Sequence, residues 1–226
     1  MTTATPMDDP TLAYYENQAE TFFAETVAVD MAPLYARFLA RVPPGGHILD
    51  AGCGSGRDAL AFRRLGYALS AFEASPTLAR LASEHCGLPV EVRRFQEVDW
   101  LARFDGIWAC ASLLHVPMAE LPEVFGRLGR ALKADGVLYV SFKYGARKRE
   151  HGGRRFTDLD EAGLAALAEP VPALAVIETW VTGDRRPGRE GERWLNAIVA
   201  RGSPTRAVQR MYRQPDESSG PAELTT

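Results

Sequence analysis

The chain has 226 residues, 46% of them hydrophobic, and a formal net charge of −3. This length suits one α/β domain with a full core, and the balance of charge gives no global pull toward nucleic acid or a membrane surface. Cys53, Cys86 and Cys110 fall at no metal-ligand spacing, and no apolar run reaches the length of a membrane span. A metal centre, an iron–sulfur cluster, a disulfide framework and a membrane anchor are therefore not expected, and free thiols without a signal peptide point to a cytoplasmic protein.

Residues 1–10 are polar and proline-bearing and read as a flexible tail, with one domain expected over 11–201. Helical spacing covers about 11–27, with Leu12, Tyr15, Phe22 and Phe23, and 31–42, with Met31, Leu34, Phe38 and Leu39 on one face. Pro43-Pro44-Gly45-Gly46 stops the second helix and launches a strand into HILDAGCGSGRD at 47–58. Ile48 and Leu49 lead to an acid, Asp50, and then Gly52, Gly54 and Gly56 alternate, a turn in which backbone can take positive φ and press against a ligand. A helix starts at Arg57. A second strand over 68–72 ends at Glu73, and Ser75-Pro76 reads as a cap followed by proline at the first helical position. A third strand is expected over 90–95 and a fourth over 104–111, apolar enough for a sheet covered on both faces.

Helix follows over 121–132, then a turn at Ala134-Asp135-Gly136 and a fifth strand, VLYVSF. Thr157 with Asp160, or with Glu161 if the register slips, has a capping-box pattern for TDLDEAGLAALA. The last two strands, 174–181 and 193–200, are joined by too few residues for a helical crossover and should form an antiparallel hairpin, with Trp180 facing Trp194. Residues 202–226 lose all periodicity and read as a disordered tail.

Strand, glycine turn and helix make a nucleotide-type corner at the carboxyl edge of a parallel sheet, but the third glycine comes one residue early for a dinucleotide fingerprint. Asp50-x-Gly52-x-Gly54-x-Gly56 resembles the first motif of class I S-adenosylmethionine-dependent methyltransferases, and GCGSGRDALAFRRLGYALSAFEAS is similar to the tellurite-resistance and thiopurine-type members. The resemblance implies a Rossmann-like seven-stranded sheet, mostly parallel with a C-terminal antiparallel hairpin and helices on both faces. It implies S-adenosyl-L-methionine as cofactor. Asp50, Gly52, Cys53, Gly54, Gly56, Glu73 and Ala74 would hold it, Glu73 through the ribose hydroxyls. Gln96 would meet the adenine, with Phe95 or Val98 over the ring. Ala111 and the segment to His115, similar to an "LHHV" motif, would back the methionine half, and Tyr15 would reach in from an N-terminal lid helix.

His115 has the chemistry of a general base for an oxygen acceptor, or it packs the next helix. Lys143, Tyr144 and Arg186, with Arg147, Lys148, Arg149, Arg154, Arg155, Arg185 and Arg189, make a basic rim that suits an anionic small-molecule acceptor; ordinary solvated charge is the other reading. No metal is expected. Two further functions remain open. One is an RNA methyltransferase that uses 143–155 as a phosphate track, and the other is a catalytically silent cofactor-binding protein. Oligomeric state is not legible.

Overall fold

The computed structural model describes residues 9–186, 188–189 and 191–202, so nearly all of both expected tails (1–10 and 202–226) lies outside the described residues. The single helix expected over 11–27 is two, α1 (Pro10–Asn17) and α2 (Ala19–Thr26), because Gln18 leaves helical geometry at φ −111°, ψ 16°. The bend lets Tyr15 and Phe22 meet edge-to-face at 5.1 Å. The second helix is α3 (Ala32–Leu39), shorter than 31–42; Arg41 N and Val42 N close tight turns onto Phe38 O and Leu39 O instead of extending it.

The alternating units then appear as β1 (His47–Ala51), α4 (Arg57–Arg64), β2 (Ala68–Glu73) and α5 (Pro76–Cys86). Ser75 caps α5 by accepting from Leu78 N at 3.1 Å. The third strand is only β3 (Val90–Val92), since the chain coils into a single 3₁₀ turn at Phe95–Glu97. Then come β4 (Phe104–Ala109), α6 (Leu121–Ala131) and β5 (Leu132–Lys143). The turn expected at 134–136 is a bulge inside β5: Leu132 pairs with Phe104 and Val137 with Gly106, with Asp135 at φ 63° between them.

A two-stranded hairpin, β6 (Lys148–His151) and β7 (Arg154–Thr157), follows; the sequence reading did not include it. Thr157 therefore ends a strand rather than capping a helix. Asp160 caps α7 (Glu161–Ala168) instead, accepting from Gly163 N at 2.8 Å. The final hairpin is β8 (Leu174–Gly183) with β9 (Arg193–Arg201), antiparallel as loop length required. Its register sets Trp180 opposite Asn196 and Trp194 opposite Thr182, so the two tryptophans are offset rather than facing.

The main sheet runs β3-β2-β1-β4-β5-β9-β8, parallel through β5 and antiparallel beyond. Strand order reverses beside β1, and the crevice at such a switch point is where open α/β sheets bind ligands. Successive residues face opposite layers. Leu49, Ile107 and Leu138 pack with α6 and α7, whereas Ile48, Trp108 and Tyr139 pack with α3 and α4. Gly106 allows the α3 approach: a Cβ there would stand 2.7 Å from Phe38. No helix among the described residues is long and apolar enough to cross a membrane.

One buried charge organises the α3–α4 layer. Asp58 accepts from the Tyr35 hydroxyl at 2.6 Å, from Trp108 Nε1 at 2.8 Å and twice from Arg57 at 2.6 and 2.9 Å. Burial alone would raise its pKa, but the Arg57 charge and these hydrogen bonds hold it below the ordinary aspartate value. A carboxyl with a depressed folded pKa lends stability above its unfolded pKa and loses that stability as pH falls through the folded one. Asp58→Ala should cost about 3–5 kcal/mol by stranding Arg57. In a thermal melt this is a fall of about 10 °C; an unchanged midpoint would refute the role given to this network.

Candidate active site

The carboxyl ends of β1, β2, β4 and β5 open into a cavity of about 440 Å³. At its floor the chain leaves β1 through Asp50 and turns at Gly52. Gly52 has φ 70°, and a Cβ would meet Ser112 at 2.7 Å, so position and close approach both demand glycine. Gly52 N and Cys53 N both donate to Phe72 O at 3.0 Å, and Ser112 Oγ donates to Ala51 O at 2.8 Å. The turn is thereby clamped between β2 and the β4 exit.

Asp50 is 2% exposed, and its Oδ2 is buried with no hydrogen-bond partner. Burial, then the Asp58 charge, raises its pKa well above the ordinary value. Glu73 is 9% exposed and accepts from Gly54 N at 3.0 Å, Ala74 N at 2.8 Å and Ser75 N at 3.1 Å. Burial still raises its pKa despite those three bonds. Both acids face the cavity with Gly52, Cys53, Gly54 and Ala74, whereas Gly56 does not line it. Gly56 is the left-handed N-cap of α4, where a Cβ would press on Ala82 of α5 at 3.0–3.1 Å; its role is close helix packing.

Phe95 and Gln96 border the β3 side of the cavity, with the Gln96 amide donating to Glu120 at 2.7 Å. Val98 does not line it and is buried in the core. Ala111 takes φ 52° as β4 exits, and its N–H donates to Ser141 Oγ at 2.8 Å.

His115 ends a 3₁₀ turn between Tyr15 and the β6–β7 hairpin. Its Nδ1 lies 2.7 Å from Arg155 O, which can only accept, so Nδ1 carries the proton and Nε2 accepts from the Tyr15 hydroxyl at 2.8 Å. Burial, reinforced by the Arg154 charge, lowers the His115 pKa to about 4, and burial pushes Tyr15 up to about 12.

On the β5–β9 side, Lys143 is ion-paired with Glu192 and stands over the rings of Phe156 and Trp194. Arg186 grips Asp184 at 2.9 and 2.5 Å, and Trp194 Nε1 donates to the same carboxylate at 3.0 Å. Tyr144 is not part of this wall. Strand alternation points Lys143 into the cavity and Tyr144 away, where its hydroxyl donates to Glu161 at 3.1 Å. Of the basic 143–155 segment, Lys143, Arg149 and Arg154 line the cavity, and Arg147, Lys148 and Arg155 do not.

Sequence reasoning missed Ser141, Phe156, Thr182 and Asn196 on this wall and read Trp194 as packing. Gly152-Gly153, both at positive φ, was the available hairpin signal. Among the described residues no group of three or more His, Cys, Asp or Glu could hold a metal ion.

A family model described as a methyltransferase domain matches residues 23–168. A ubiquinone biosynthesis O-methyltransferase of Xanthomonas oryzae pv. oryzae is 33% identical over 105 residues, a match spanning 43% of this chain and 43% of that relative. The chain therefore aligns with less than half the length of that curated relative. Among solved structures, a Burkholderia thailandensis 1,6-didemethyltoxoflavin-N1-methyltransferase with bound 1,6-didemethyltoxoflavin and S-adenosylhomocysteine superposes with a TM-score of 0.69 at 22% identity, covering 90% of this chain and 93% of that one. A TehB-like S-adenosylmethionine-dependent methyltransferase from Corynebacterium glutamicum gives 0.62 at 23% identity, covering 84% and 99%. At these identities the structural likeness establishes the fold.

His115 should stay neutral and Nδ1-protonated down to about pH 4 when followed by ¹⁵N NMR of labelled histidine. Because its folded pKa lies below 6.5, acidification from about 6.5 to about 4 should cost about 3 kcal/mol of stability through this residue. A ring that titrates near 6.5 would refute the buried, doubly bonded state.

Proposed function

The chain belongs to the methyltransferase-domain family, and we propose that it moves a methyl group from S-adenosylmethionine to a small-molecule acceptor. The observation that carries this reading is the unpartnered Asp50 oxygen beside the glycine turn. A buried carboxylate oxygen with nothing to accept from costs several kcal/mol unless a cationic or donor group completes it. An amino-acid ammonium next to a sulfonium is such a group, whereas a pyrophosphate would be repelled by Asp50 and Glu73 together.

In this reading Asp50 receives the ammonium, Glu73 the ribose hydroxyls, and Phe95 with Gln96 borders the adenine. Ala111 and Ser112 back the methionine chain, and Tyr15, held by His115, covers it from α1. The cofactor supplies a methyl carbon already activated by its sulfonium leaving group. The protein's part is to align the acceptor in line with that carbon and to exclude water. His115 acts here as a positioning residue for Tyr15, since both its nitrogens are engaged.

The cations support a small acceptor. A phosphate track needs exposed, unpaired charge, yet Lys143, Arg149 and Arg186 turn into the cavity and each holds a carboxylate. A cavity of about 440 Å³ also has the size of a site for small molecules.

Incubation with methyl-labelled cofactor and fractionated metabolites tests the activity; label remaining only on cofactor and protein against every fraction would favour a silent binding protein. Glu73→Ala should weaken S-adenosylmethionine binding at least about tenfold by calorimetry, about 1.4 kcal/mol. The raised pKa values of Asp50 and Glu73 set a pH sign as well. Ligand-free protein gains stability as pH falls through those raised values, whereas affinity for the cationic cofactor falls as the carboxylates lose charge. Affinity that stays flat as the solution is acidified would contradict charged contact by these acids.

A further inference from the structure

The β6–β7 hairpin presents, in Arg154, a cation that bonds the neutral Tyr15 side chain but meets no carboxylate in an ion pair among the described residues. Arg154 lies with its guanidinium 4.2 Å over Tyr14 and 5.2 Å over Phe156, and its Nε is buried without a hydrogen-bond partner. Lys143, Arg149, Arg186 and Arg189, which line the same end of the cavity, are each ion-paired, to Glu192, Asp158, Asp184 and Glu192 respectively. Arg154 has no ion-pair partner among the described residues. Tyr14 and Phe156 flank the guanidinium, and the planar fork of N–H donors suits planar oxyanions.

Most bases at the same end of the cavity are already hydrogen-bonded or ion-paired. His115 is bonded at both nitrogens, Asp184 and Glu192 are held by cations, and Asp9 accepts from Thr11 N. His151 lines the cavity but is exposed. An acceptor that is already an anion needs none of these groups to take a proton during transfer.

Resting on the methyltransferase reading, we propose that Arg154 is the counter-ion of the acceptor, and that the acceptor is a flat, conjugated molecule already anionic when it binds. The charge balance closes without a base. A lone pair of the delocalised anion forms the new bond to the methyl carbon as the carbon–sulfur bond breaks and its electrons return to sulfur. Sulfonium and anion become thioether and neutral methylated product, and no proton is left over. Phe156 and Trp194 supply the apolar wall for the ring plane, with Lys143 standing over both. Arg154 is held in place locally: Arg155 N donates to Thr11 Oγ1 at 3.0 Å, and Arg149 bonds Asp158 at 2.9 Å.

The test compares 2-naphthoate with 2-naphthamide, equal in shape and different in charge, by calorimetry on protein saturated with S-adenosylhomocysteine. Wild type should bind the carboxylate at least about tenfold tighter than the amide, a preference of the size a charge-assisted pair provides. Arg154→Gln should erase that preference while leaving the amide and S-adenosylhomocysteine affinities unchanged, and Arg154→Lys should retain part of it. Equal binding of the two probes to wild type, binding of neither, or a preference that survives Arg154→Gln would overturn the proposal. If Arg154→Gln fails to fold, the wild-type preference and its reduction in Arg154→Lys still decide. Failure of S-adenosylhomocysteine to bind wild type would count against the methyltransferase reading instead, and the probe comparison would then be run on ligand-free protein.

Discussion

Three backbone N–H groups, from Gly54, Ala74 and Ser75, converge on the Glu73 carboxylate, and the shape of the site depends on that convergence. The bond to Gly54 joins the end of β2 to the glycine turn that follows β1, so two strand tips are fixed by one side chain. A carboxylate offers about four lone-pair directions, and three are already used. A sugar carrying two hydroxyls therefore meets an acid with one free direction, and a second strong bond requires an amide to share its oxygen. Under the proposed function, ligand contact and loop geometry are coupled at Glu73, so a change there would move the turn as well as the ligand.

The cavity is electrically polarised along the sheet edge. Asp50 and Glu73 stand at the β1–β2 end, both with pKa values raised chiefly by burial. At the β5–β9 end Lys143, Arg149 and Arg186 are balanced by their carboxylates, and Arg154 is the cation there without an ion-pair partner among the described residues. Aromatic rings and the neutral His115–Tyr15 pair occupy the space between. Such a field favours a cationic donor on the acidic side and an anionic acceptor on the basic side. It also explains why an imidazole in the middle remains uncharged: burial and the nearby Arg154 both oppose the imidazolium.

The sequence made the cofactor half legible because its signals are local. Ile48-Leu49-Asp50 followed by alternating glycines needs no tertiary information, nor does Ser75-Pro76 at the start of α5. The final hairpin followed from loop length alone, since about a dozen residues cannot cross a sheet by way of a helix. What escaped was set by contacts distant in sequence. The break at Gln18 serves a packing between Tyr15 and Phe22 and lets Glu16 reach Ser75 and Thr77 on α5. Tyr144 was misplaced by a single residue, and on a strand one residue is the difference between two faces. Gly56 read as a ligand contact because spacing cannot tell a glycine that meets a ligand from one that lets two helices approach. The β6–β7 hairpin did carry a turn signal at Gly152-Gly153, hidden among charges that read as a solvated loop.

That hairpin carries part of the wall opposite Asp50 and Glu73, with Arg149, His151, Arg154 and Phe156 all lining the cavity. The chain superposes on two solved methyltransferases over 84–90% of its length at only 22–23% identity, so the fold is shared while most side chains are not. Residues on loops and insertions held by a rigid sheet are the natural place for acceptor choice. Here the hairpin is also bonded to two other parts of the site. Arg155 receives His115 Nδ1–H at its carbonyl and donates its own N–H to Thr11 at the start of α1. The β4 exit, the N-terminal helix and the hairpin are therefore one hydrogen-bonded assembly around Arg154. Repositioning any of the three shifts the guanidinium relative to the rest of the cavity, because the same backbone bonds of Arg155 tie all three together.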